Sequence, residues 1–143
     1  MSLDFTKVDS VQNMELMIKR CIIQSPIDPG QYQIKYRRFI LMSDLYQDFL
    51  ARLKQRLIEL DYGNLRDRTR KVEVLSCQEA LNQIDHKVKS SIDQGAKILM
   101  GGQRMIGFDQ YYLPTILYDV TSEMTCWDQE ILGPVMVVAK GSL

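Results

Sequence analysis

Three cysteines and one histidine are the residues from which this sequence would have to build nucleophilic chemistry. Cys77 follows Ser76 at the start of an expected helix, where the dipole and the free backbone donors favour a thiolate, and His86 could serve it as a base. The two stand nine positions apart on one helix, more than two turns, which puts them out of hydrogen-bond reach. Cys21 falls on an apolar helical face and reads as core, and Cys126 beside Trp127 reads as a partly buried thiol. No two cysteines stand in C-x-x-C spacing, which argues against a zinc site or a disulfide framework and for a reducing, cytoplasmic setting. Arg66, Arg68, Arg70 and Lys71 could touch phosphate. Asp67 and Glu73 are interspersed with them, and the cluster reads as a solvated loop.

The elements that would position these side chains follow from spacing. Phe5 to Val8 is a short apolar entry, and Asn13 caps a helix near 14 to 24 in which Met14, Met17, Ile18, Cys21 and Ile22 share a face. Tyr36 to Leu41 reads as a strand whose Phe39-Ile40-Leu41 run is apolar enough to be buried on both faces. From 44 to 60 a second helix, capped by Ser43, carries Leu45, Phe49, Leu53, Leu57 and Leu60 on one stripe. Residues 61 to 75 are polar, with a Gly63-Asn64 turn, and are expected to form a surface loop. Ser76 and Glu79 stand in a capping-box relation at the head of a helix near 77 to 94. Leu81, Ile84, Val88 and Ile92 give that helix its buried face, Lys87 lies on the opposite surface, and Gly95 ends it. Lys97 to Met100, Thr115 to Tyr118 and Val135 to Ala139 are short β runs, the last entered through a Gly133-Pro134 turn. Helices alternating with apolar strands predict an α/β fold, a mostly parallel sheet flanked by helices, in a single domain over 1–143.

The 143 residues are 45% hydrophobic and 25% charged, enough to bury a sizeable core. Eighteen basic residues balance eighteen acidic ones, and the isoelectric point is near 6.6. No global field therefore draws the chain to nucleic acid. No apolar run reaches the length of a membrane span, so no membrane partner is expected.

Several motifs, collinear over nearly the whole chain, give these elements a common meaning. Gly101-Gly102-Gln103-Arg104, Tyr111-Tyr112-Leu113-Pro114-Thr115, Asp119-Val120-Thr121 and Glu130-Ile131-Leu132-Gly133-Pro134 follow one another in a pattern that resembles the C-terminal half of an aldehyde dehydrogenase catalytic domain. Upstream, Gly30-Gln31-Tyr32-Gln33 resembles that family's Gly-Gln-x-Cys element, and Arg38 matches the arginine five residues beyond it. Within the superfamily, Tyr-Tyr-x-Pro-Thr followed by Val120-Thr121-Ser122-Glu123-Met124-Thr125 looks most like bacterial succinate-semialdehyde dehydrogenases.

The resemblance implies NAD(P)-dependent oxidation of an aldehyde: a cysteine thiolate adds to the carbonyl, hydride passes to nicotinamide, and a glutamate-activated water releases the acid. Gln33 stands where that cysteine should be, so no catalytic residue is assigned. The family's glutamate base falls upstream of Phe5, as does its nucleotide-binding Rossmann half, so the chain is expected to be a truncated catalytic domain that binds no cofactor by itself. Glu130 matches the glutamate that contacts the nicotinamide ribose, and Leu132 replaces the phenylalanine that packs near the ring; both are expected to be relics. The implied partners are a second copy of the chain or a full-length dehydrogenase, and no metal is expected.

Overall fold

The computed structural model describes residues 5–24, 31–60, 71–72, 78–104, 112–131 and 133–141. In chain order the elements are β1 (Thr6–Val8), α1 (Val11–Arg20), β2 (Ile22–Gln24), β3 (Gln31–Ile34), β4 (Arg38–Leu41) and α2 (Tyr46–Leu60). They continue as β5 (Lys71–Val72), α3 (Gln78–Asp93), β6 (Lys97–Met100), β7 (Thr115–Tyr118), α4 (Thr125–Asp128) and β8 (Val135–Lys140). The main sheet has the order β1-β4-β8-β7-β6. Its first four strands run parallel and β6 pairs antiparallel at the edge, so the expected α/β class with a mostly parallel sheet is the one observed.

Both faces of this sheet are covered, which is why its strands read as unbroken apolar runs rather than as alternating ones. Phe39, Leu41, Ile116, Met136 and Val138 point into the layer that α1 and α2 supply. Ile40, Leu117, Val135, Val137 and Ala139 point into the opposite layer, built on α3 and α4. The switch of face at each residue is the two-residue period of a pleated strand. Phe49, Leu53 and Leu57 of α2 and Leu81 and Val88 of α3 are wholly buried, each worth roughly 1.5–3 kcal/mol of transfer free energy. Phe39 and Phe49 meet with ring centroids 5.0 Å apart at a tilt of 53°, a favourable aromatic geometry.

Tyr46 ties three elements together at the carboxyl end of the sheet. Its buried hydroxyl donates to the Val138 carbonyl at 3.3 Å and accepts the Asp119 N–H at 2.6 Å. The Lys140 ammonium sits 4.9 Å from its ring centroid. Asp119 leaves β7 at φ 54°, a left-handed conformation that Asp tolerates better than most side chains, and its carboxylate pairs with Lys97 at 3.1 Å.

The structure moves several expected boundaries. The first helix starts at Val11 and is capped by Ser10, whose Oγ accepts the Asn13 N–H at 3.1 Å, so Asn13 lies inside the first turn. It ends at Arg20 because Ile22 and Ile23, suited by their β-branching to extended backbone, pair with Ile34 and Gln33 in β3. That pairing belongs to a second sheet, β2-β3-β5, in which β3 and β5 run parallel. Spacing did not announce this sheet, and it places Lys71–Val72 in a strand rather than in the expected loop. The strand expected from Tyr36 begins at Arg38. The Gly63-Asn64 turn, the Arg66 to Arg70 part of the basic cluster, and Ser76 and Cys77 lie outside the described residues. The second and third helices, 46–60 and 78–93, match their expected spans within two residues.

Candidate functional site

Gln33 lies on β3 opposite Ile23 of β2, exposed to solvent. A carboxamide is neither a nucleophile nor a base at neutral pH, and among the described residues its side chain has no hydrogen-bond partner. Three residues after β3, Arg37 turns the chain toward the other candidate segment. Its guanidinium donates from Nη1 to the Gly133 carbonyl, and its own carbonyl accepts the Val137 N–H at 2.8 Å. Arg37 thus ties the segment between β3 and β4 to Gly133. Arg38, the residue matched to the family's arginine, is buried in β4.

The loop from Glu130 to Pro134 is held by packing as much as by hydrogen bonds. Gly133 lies against Ile84 of α3, where an added Cβ would come within 2.3 Å of the Ile84 Cδ1. The Pro134 carbonyl accepts the Thr115 N–H at 2.8 Å, which sets the start of β8 beside β7. Lys87 donates from Nζ to the Glu130 carbonyl at 2.9 Å, so this lysine, expected to face only solvent, fastens α3 to the loop. The Glu130 carboxylate itself is exposed and has no partner among the described residues. Leu132 lies outside the described residues. Of the two positions matched to the family's cofactor contacts, only Glu130 lies among the described residues.

The two described cysteines both lie in the core. Cys21 is fully buried at the end of α1, donates to the Ile18 carbonyl at 3.4 Å, and has its thiol pushed up to about 12, chiefly by burial. Cys126 is buried as well, rather than partly buried as its sequence context suggested, and loss of solvent raises its thiol too. Its N–H donates at 2.8 Å to Ser91 Oγ, which in turn donates at 2.8 Å to the Lys87 carbonyl. Ser91 thereby knits α3 to α4. It continues the Leu81, Ile84, Val88 stripe, and a hydroxyl on an apolar stripe was the signal available for it. His86 is exposed on α3, and its suggested partner Cys77 lies outside the described residues. Among the described residues no group of three or more His, Cys, Asp or Glu is placed to hold a metal ion, and no helix is long and apolar enough to cross a membrane.

The comparisons with known proteins agree with this geometry. The family model described as aldehyde dehydrogenase family matches residues 4–142. The succinate semialdehyde dehydrogenase [NAD(P)+] Sad of Escherichia coli is 30% identical over 126 residues, covering 88% of this chain and 27% of that protein. The succinate-semialdehyde dehydrogenase [NADP(+)] of Deinococcus radiodurans is 31% identical over 127 residues, again 27% of its length. The chain thus spans about a quarter of the relatives it matches. Among solved structures, lactaldehyde dehydrogenase from Escherichia coli superposes with a TM-score of 0.76 at 27% identity, over 96% of this chain and 29% of that one. With that family model matching residues 4–142, nearly the whole sequence, this chain belongs to the aldehyde dehydrogenase family.

Proposed function

We propose that this chain carries part of an aldehyde dehydrogenase catalytic fold without the thiolate step of its relatives, and that it binds neither NAD nor NADP by itself. The observation that carries this reading is Gln33, which occupies the nucleophile's place in the Gly-Gln-x-Cys element. A carbonyl approaching β3 meets a carboxamide that cannot form the thiohemiacetal from which hydride would leave. The two described cysteines are buried and hold their protons, so neither supplies a substitute. The parent reaction is NAD(P)-dependent oxidation of an aldehyde to its acid, and the names of the relatives favour succinate semialdehyde. An exposed Glu130 carboxylate, standing alone, contributes about 1 kcal/mol to a ribose contact and cannot hold a dinucleotide.

Purified chain incubated with succinate semialdehyde and either nicotinamide cofactor should show no reduction above a control without protein. Loss of a nucleophile that acts within a catalytic unit costs on the order of a millionfold in rate. Turnover that disappears when one cysteine is changed would overturn the reading.

A second reading is an interaction module that associates with itself or with a full-length dehydrogenase. Phe5, Met42 and Ile98 favour it, because these large apolar side chains are 53%, 50% and 41% exposed.

A further inference from the structure

Away from Gln33 and Glu130, a groove of about 390 Å³ runs between α1 and α2, within the size range of small-molecule sites. Its lining is mostly apolar, with Ile18 and the methylene stems of Lys19, Arg52 and Arg56 contributing. The charges around it are unequally matched. Arg52 is engaged by Glu15 at 3.4 Å and by Asp48 at 3.2 Å, and Glu59 accepts from Gln55 at 3.1 Å. Lys19 has no acidic partner among the described residues. Arg56 has none either, and its Nε is shielded from water without a hydrogen-bond acceptor. A guanidinium presents donors in a fixed fork, and a buried N–H without an acceptor is a standing cost that a bound carboxylate would remove.

We propose that this groove binds a small aliphatic monocarboxylate, with the carboxylate on Arg56 and Lys19 and the alkyl chain along Ile18 and the arginine stems. The inference is independent of the dehydrogenase reading. Binding there requires the Arg56 side chain to turn so that Nε and a terminal nitrogen face the two carboxylate oxygens, the paired geometry in which arginine binds best. The apolar lining selects for a chain of carbon atoms over a bare inorganic anion. Glu59 keeps one negative charge at the rim, which disfavours a dianion.

The test is a titration of the isotopically labelled full chain with sodium octanoate, followed through backbone amide resonances. Saturable shifts should be confined to α1 and α2, with a submillimolar dissociation constant. Arg56→Gln should weaken binding at least about tenfold, the usual scale for a charge-assisted hydrogen bond. Lys19→Gln should weaken it by a smaller factor, and octan-1-ol should not saturate the site. Should Arg56→Gln fail to fold, Arg56→Lys keeps the charge and loses the fork, and an intermediate loss is expected. Failure of octanoate to saturate by about 10 mM, well above the millimolar range of weak specific binding, would overturn the proposal. So would equal binding of octan-1-ol, or affinity unchanged in both Arg56→Lys and Lys19→Gln.

Discussion

Gln33 and Cys21 occupy opposite environments, one on an exposed strand and one in the core, and their chemistry should differ accordingly. A thiol placed at position 33 by Gln33→Cys faces water, so it should react with Ellman's reagent as an exposed thiol. Cys21 and Cys126 should react only when denaturant is added. Nicotinamide reduction should remain absent in this variant; its appearance would mean that the surrounding cleft is competent and that one substitution alone had silenced it. Asp119 gives a second prediction. Desolvation works against its charge, but the hydrogen bond from Lys97 and the nearby Tyr46 hydroxyl outweigh it and hold its carboxyl below the ordinary value of 3.8. A lowered folded-state pKa means stability present above the unfolded value and lost as pH falls through the folded one. Asp119→Asn, which also tolerates the left-handed backbone, should lower stability at neutral pH and leave it nearly unchanged in strong acid, so that the acid limb flattens. An acid limb identical to the parent's would remove the Lys97–Asp119 pair from the account. At this scale the sequence was legible where an apolar face decides, as with Cys21, read as core and found buried. Arg37 was not, because its partner Gly133 is 96 positions away and nothing local marks the bond.

Helix α3 was readable almost to the residue, since its apolar period and its stop signal at Gly95 agree with what the sheet requires. Ile84 sits at its centre, 3% exposed, against Gly133 of the site loop. Ile84→Ala should cost about 2–5 kcal/mol, a large part of a domain stability of roughly 5–15 kcal/mol. Gln83→Ala, on the exposed side, should change stability by under about 0.5 kcal/mol. The melting temperatures of the two variants check this directly, and similar values would mean that α3 does not pack as described. Helix α1 was read less well. Its apolar positions continue through Ile22 with helical spacing, yet the chain unwinds after Arg20 because pairing with β3 offers those residues a sheet. Partners set by tertiary contacts override a local period, and strands as short as β2, β3 and β5 carry too few residues to show a period of their own.

For the whole molecule, the layer order and strand burial were legible because a covered parallel sheet needs long apolar runs, while strand order was not, because runs of Val and Ile do not name their neighbours. The two outer strands of the main sheet, β1 and β6, each carry an exposed lysine, Lys7 and Lys97, a charge that discourages edge pairing. Each also has a large exposed apolar side chain at hand, Phe5 before β1 and Ile98 on β6, which favours association. The chain should therefore self-associate, with sedimentation coefficients rising over a wide range of concentration. A strictly monomeric boundary would remove the interaction-module reading. The position of β8 has a different kind of consequence. It is the last described strand in chain order, yet it lies in the middle of the sheet, with Arg38 beside Val137 on one side and Leu117 beside the same residue on the other. During synthesis β4 emerges from the ribosome long before β8, the strand that joins it to β7, and β7 emerges shortly before β8. Until it arrives, the nascent chain holds two apolar strands with open sides, so the sheet closes late, through contacts of large sequence separation and hence slowly. The interval before that closure is when a chaperone would matter most to this protein, and when a neighbouring nascent chain could most easily take β8's place.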